Sequence, residues 1–189
     1  MNYCKYEIYF FLLLAILVAL SSCTNSSSQV FNQYFDAKTY VEQEKDELLK
    51  DFKHYNNTII LNGNEETKQN ELLDTIVVEE LVDYFSKANI NKKINQDQYK
   101  IDTFWMLDAK TNENIEVLNY STTNKKLDVK WFQQYSNGSM KALLSKSNFL
   151  YSYEKEIFYG KEDEFSVVSW QKILGQDTLR VFSKVEFIP

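Results

Sequence analysis

An α+β fold is predicted for this chain: two N-terminal helices packed on one face of a meandering antiparallel sheet of six or seven strands, with a curled half-barrel left open as one form of that sheet. Three observations predict it. Apolar residues recur at helical spacing in two stretches before residue 89, then at a period of two from Tyr99 onward. Helices precede strands, the order of an α+β rather than an α/β chain. The turn signals between the later apolar runs are too short to hold crossover helices, so neighbouring strands must be antiparallel.

The chain opens with a leader. Met1–Glu7 carries the amino terminus and Lys5, and Ile8–Leu20 then runs 13 residues without a polar break. As a helix that run rises about 20 Å, short of the ~30 Å hydrocarbon core, which suits a secretory h-region better than a permanent span. Leu20-Ser21-Ser22-Cys23 follows directly. This resembles the lipobox of bacterial lipoprotein precursors, which signal peptidase II cuts before the cysteine. The resemblance implies that residues 1–22 are a cleaved signal peptide and that Cys23 carries a diacylglycerol thioether and an N-acyl chain, commonly palmitate. Glu7 departs from the usual acid-free start of such leaders. At about 0.8 kcal/mol per buried CH₂, two or three acyl chains make a durable anchor. Lipoprotein sorting rules imply the outer membrane, facing the periplasm, because neither Asp nor an acidic stretch follows Cys23.

Residues 23–33 read as the lipidated cysteine and a polar tether, and 34–189 as one domain. Tyr34, Ala37, Val41, Leu48, Phe52 and Tyr55 predict a first helix over Asp36–Tyr55. Asp36 is placed as its N-cap, and Phe35 and Tyr40 stand where a hydrophobic staple forms. Thr58–Leu61 followed by Asn62-Gly63 predicts a short strand and a type I′ turn, paired with Glu65–Gln69 in a small exposed hairpin. The second helix is predicted over Asp74–Lys87, with Val77, Leu81, Tyr84, Phe85 and Ala88 on one face and Asn89 able to end it in the left-handed conformation. Ile90–Gln98 reads as polar loop.

Beyond Tyr99, Leu127, Val129 and Trp131 alternate with charged residues, as do Leu179, Val181, Val185 and Phe187. Phe165–Leu174 is apolar on both parities and reads as a more central strand. No proline between Cys23 and Pro189 interrupts a ladder. The lipobox, the short linker, Phe35-Asp36 and the run Ala88-Asn89-Ile90-Asn91-Lys92 together resemble small uncharacterised lipoproteins of Bacteroidota-type bacteria. That resemblance implies location and no particular activity.

Composition narrows the chemistry. With 44% hydrophobic and 25% charged residues the chain is globular, neither a disordered tail nor a collagen repeat. One His and two Cys are too few for a His/Cys zinc site, so no metal or other cofactor is expected. A net charge of −6 argues against nucleic acid as a partner. His54 is the single histidine, and it reads as a cation at the end of the first helix rather than as part of a triad. No nucleophile elbow, Walker loop or dinucleotide fingerprint occurs, and four glycines cannot build a phosphate cradle.

Two features keep rival functions open. Asp102, Asp108, Glu116 and Asp128 could serve a carboxylate-based hydrolase of envelope polysaccharide, or simply solvate a sheet face. Trp105, Trp131 and Trp170, with Tyr151 and Tyr153, could line an aromatic cleft carrying a lipid or glycan, or pack under the helices as core. Arg180 is expected to partner an acid across the strands. The leading expectation is a non-enzymatic lipid-anchored envelope protein without catalytic residues. Its partners would be the membrane, through the acyl chains, and another envelope component.

Overall fold

A computed structural model describes residues 33–108, 111–160 and 164–189. The expected signal peptide, the expected lipobox residues Leu20, Ser21, Ser22 and Cys23, and the expected tether before Gln33 lie outside the described residues. The element order is α1 (Ala37–Asp51), β1 (His54–Leu61), β2 (Asn64–Leu72), α2 (Thr75–Ala88), a 3₁₀ turn (Lys93–Asn95), then β3 (Lys100–Leu107), β4 (Asn114–Ser121), β5 (Val129–Tyr135), β6 (Met140–Ser147), β7 (Tyr151–Gly160), β8 (Glu164–Ile173) and β9 (Leu179–Ile188).

Among the described residues the strands form one sheet of nine in the order β2-β1-β9-β8-β7-β6-β5-β4-β3, antiparallel throughout. This corrects the expected two helices followed by a separate sheet of six or seven strands. The molecule is mostly sheet, and the β1–β2 hairpin between the helices belongs to it. β1 pairs along its whole length with β9, from His54 opposite Ile188 to Leu61 opposite Val181. The expectation failed on hydrophobic pattern. All nine residues of β2 are exposed, so no apolar alternation marks them as part of a large sheet.

Local chemistry explains the element ends. Asp36 caps α1 by accepting from the Thr39 N–H, and the Phe35 and Tyr40 rings meet at 5.5 Å in the expected staple. α1 stops at Asp51 rather than Tyr55, because Phe52 turns extended (φ −115°, ψ 140°) and packs its ring 5.5 Å from Phe187 of β9. His54 therefore opens β1 opposite Leu72 and Ile188, and is not a helix-end cation. Asn62 (φ 48°) and Gly63 (φ 91°) form the hairpin turn with two left-handed residues, which glycine and asparagine tolerate best. Asp74 caps α2 through the N–H groups of Ile76 and Val77. Asn89 ends that helix at φ −64°, not in the left-handed region.

The ladder fixes which side chains share a face. Tyr120, Phe132, Ala142, Ile157 and Val167 stand opposite one another across five strands, and the helices cover this side. The Phe85 ring lies 6.2 Å from Tyr159, Tyr84 5.5 Å from Phe165, and Phe35 5.7 Å from Phe132. Val41, Val78, Leu81, Phe85, Ala142 and Ile157 are buried, and this layer is the core. Deleting one of its large aromatics costs roughly 3–5 kcal/mol in comparable cores.

The segment expected as polar loop is also packed. Ile90 is fully buried, with Asn89, Asn91 and Asn95 buried beside it. The Asn89 amide donates to the Asp36 carboxylate (2.9 Å), Asn91 Oδ1 accepts from the Tyr34 N–H (3.2 Å), and the Asn95 amide donates to the Ile90 carbonyl (2.9 Å). The Ala88–Lys92 run thus ties the end of α2 to the start of α1. Buried amides need such partners, because an unpaired one costs about 1–3 kcal/mol.

Candidate functional site

The ladder distributes the aromatic residues proposed for a cleft over both faces. Trp131 and Trp170 stand on the face away from the helices, as neighbours in parity of Leu143 and Val168. Trp105 faces Glu116 on the other side of the sheet and is 66% exposed. Tyr151 and Tyr153 of β7 stack at 6.3 Å on the helix side, four strands from Trp105. Trp131 and Trp170 are three strands apart, roughly 14 Å at the usual strand spacing. The five residues do not converge on one cleft. Arg180 lies over the Trp170 ring at 5.8 Å, opposite it in the ladder, rather than against an acid.

Between α2 and strands β1, β8 and β9 lies a cavity of about 90 Å³, lined by Tyr55, Asn57, Val77, Leu81, Phe165 and Val185 among others. Pockets that hold small organic ligands usually measure ~300–1,000 Å³. Asn57 Oδ1 is buried without a hydrogen-bond partner among the described residues. On the surface beside α2, Lys155 lies 4.9 Å from the Tyr84 ring centroid. Burial, then the nearby Lys87, pushes the Lys155 ammonium below its ordinary pKa.

The candidate carboxylates are also dispersed. Asp102 and Glu116 point to opposite faces, since Asp102 stands across from Asn119 while Glu116 stands across from Trp105. Asp102 pairs with Lys100 at 2.8 Å and Asp128 with Lys146 at 3.6 Å. Among the described residues no group of three His, Cys, Asp or Glu side chains is placed to hold a metal ion.

The two ends of the sheet are its most distinctive feature, and the sequence pattern did not single them out. Among the described residues β3 is a terminal strand that pairs only with β4, through eight consecutive positions from Lys100–Ser121 to Leu107–Asn114. In an antiparallel pair, successive residues bond alternately to the two sides. The Asp108 N–H donates to the Glu113 carbonyl (2.8 Å), so even-numbered residues of β3 bond inward. The N–H and C=O groups of Ile101, Thr103, Trp105 and Leu107 therefore point outward. One residue earlier in this series, the Tyr99 N–H is taken by the Tyr34 hydroxyl (3.2 Å).

The side chains of that edge are apolar and open. Ile101, Phe104, Trp105, Met106 and Leu107 are all exposed. The two charges of the strand, Lys100 and Asp102, neutralise each other at one end, leaving Thr103–Leu107 uncharged. Tyr99 anchors the start of the strand, its hydroxyl donating to the Val129 carbonyl (2.8 Å). Burial, followed by Tyr34 and Asp128, holds the Tyr99 phenol well above its ordinary pKa. A signal for this site was present in the sequence: Ile101 to Leu107 is an apolar-rich run on both parities without proline or glycine. Such a run also suits a central strand, which hides its position at the edge.

The chain matches no family model, no curated protein and no solved structure.

Proposed function

We propose that this is a lipid-anchored protein of the bacterial cell envelope, held at the outer membrane through Cys23 and facing the periplasm, with a non-enzymatic binding role. Its binding element is the β3 edge. The observation that carries the reading is this edge: four residues with outward backbone groups, flanked by five exposed large apolar side chains. Such an edge adds a strand readily, with main-chain hydrogen bonds giving affinity and alternate side chains giving specificity. Leu20-Ser21-Ser22-Cys23 supports the anchor, and the residues after Cys23 support the outer-membrane destination. Tethering to a membrane confines the edge to two dimensions and raises its effective concentration toward other envelope proteins.

The anchor is tested by feeding cells labelled palmitate. Cys23→Ser is expected to abolish incorporation and to leave full-length precursor. Label retained on the Cys23→Ser chain would refute the anchor.

A further inference from the structure

Resting on the reading that β3 is the binding edge, we propose that its partner is a second copy of this chain, joined β3 to β3 in antiparallel register about a two-fold axis through Phe104. Three observations converge on it: backbone parity, charge, and the state of the opposite edge.

Only registers that set odd residues against odd residues satisfy the outward groups of Ile101, Thr103, Trp105 and Leu107. Among these, charge distinguishes the two-fold positions. With the axis at Phe104, Lys100 faces Asp108 of the second copy and Asp102 faces Met106, so one of the two charges of each strand gains an opposite charge across the join, and symmetry repeats both pairs. An axis at Thr103 would set Lys100 against Met106 and Asp102 against Phe104. An axis at Trp105 would set Asp102 against Asp108, two carboxylates side by side, which is unfavourable.

Apart from Asp102 opposite Met106, the Phe104 register also matches the side chains. On the helix side, Ile101 meets Leu107 and Thr103 meets Trp105; on the other side, Phe104 meets Phe104. Aromatic and β-branched cross-strand pairs of this kind add to the backbone bonding. Every one of these apolar residues is exposed in the single chain, so pairing removes them from water. A head-to-tail join of β3 to β2 would instead propagate a filament. β2 is unsuited to it, being interrupted by a register shift opposite Tyr55–Asn57 and carrying Glu65, Glu66, Lys68 and Glu71.

The geometry sets the test. Phe104 would occupy a pair not bonded through the backbone, with Cα atoms about 4.5 Å apart, inside the ~4.4–6.8 Å range of disulfides. Met106 lies on the same face, and each is 40% exposed. Met106 residues of the two copies would lie four positions apart along the join, roughly 13 Å at the usual rise per residue, beyond disulfide reach. In the full chain, expressed in cells and oxidised in isolated envelopes, Phe104→Cys is expected to run as a homodimer on non-reducing gels. Met106→Cys and the unsubstituted chain are expected to remain monomeric. Equal dimer from Phe104→Cys and Met106→Cys, or none from either, would overturn the register.

A photoreactive benzoylphenylalanine at Trp105 separates this inference from the binding reading beneath it. An adduct of twice the chain's mass supports self-pairing. An adduct solely with another protein overturns self-pairing and leaves edge binding standing. No adduct of either kind overturns both.

Discussion

The two ends of the sheet face the same problem, a row of backbone groups that no other described strand pairs, and treat it differently. At β2 the edge is blunted. Four of its nine residues are charged, three of them glutamate, and a register shift opposite Tyr55–Asn57 breaks the ladder. Asn70 sits at φ 56° and sends its N–H to the Asn56 side chain of β1 (2.9 Å), so the backbone of β2 departs from regular strand geometry at the shift. At β3 the ladder is unbroken over eight positions, and five large apolar side chains stand open. Charges, bulges and kinks are the usual protections of an edge. They are present at β2 and absent from most of β3, and this difference is what the proposed role of β3 as the binding edge rests on.

The largest effect should come from giving β3 the protection that β2 has. Trp105→Lys places a solvated charge at the middle of the join, and the lysine cannot be buried there without a partner. Self-association of the full chain in detergent should weaken about a hundredfold by sedimentation equilibrium. At concentrations low enough that both chains are monomeric, stability against urea should change by no more than about 0.5 kcal/mol, because Trp105 is 66% exposed in the single chain. A dimer of undiminished affinity would remove β3 from the interface.

That same contrast between edges explains what could be read from the sequence. The starts of both helices with their caps at Asp36 and Asp74, the Phe35–Tyr40 staple and the Asn62-Gly63 turn follow from local rules and appear where those rules put them, whereas α1 ends four residues short of the expected Tyr55. The nine-stranded sheet does not follow, because β1 and β2 belong to it only through the pairing of β1 with β9, more than a hundred residues away. His54 and Tyr55 continue a helical spacing and still enter a strand, since Phe52 turns extended and sets its ring 5.5 Å from Phe187. The three tryptophans looked like one group because sequence gives their number but not their face. A bulge between Val129 and Trp131 turns Trp131 away from the helix side, where simple alternation with Val129 would have put it.

Charge reversal gives a smaller effect and addresses register rather than location. Lys100→Asp should weaken self-association about tenfold, as each of two symmetric pairs changes from attraction to repulsion against Asp108. The double variant Lys100→Asp, Asp108→Lys should recover most of the affinity, since it rebuilds the same pairs with signs exchanged. Salt should diminish both effects, because the pairs lie at the rim. If the double variant binds no better than Lys100→Asp alone, the axis does not pass through Phe104.

The smallest effect concerns how the β3 edge is held in place. Tyr99 is buried, with its hydroxyl on the Val129 carbonyl, whereas Tyr55, beside the β2 edge, is only half-buried. Burial raises the pKa of both phenols, and that of Tyr99 by far the more. An unfolded tyrosine ionises near pH 10, so above that pH the native state retains a proton that the unfolded chain loses. The contribution of Tyr99 is therefore complete below about pH 10 and is lost progressively as pH rises beyond it. Tyr99→Phe should cost about 1 kcal/mol at pH 7 through the lost hydrogen bond. Urea titrations at pH 7 and above pH 10 should show that difference shrinking, because the variant has no phenol to ionise there. A difference that stays constant would mean that water reaches the Tyr99 hydroxyl. The start of β3 would then be held no more firmly than the blunted edge at the other end of the sheet.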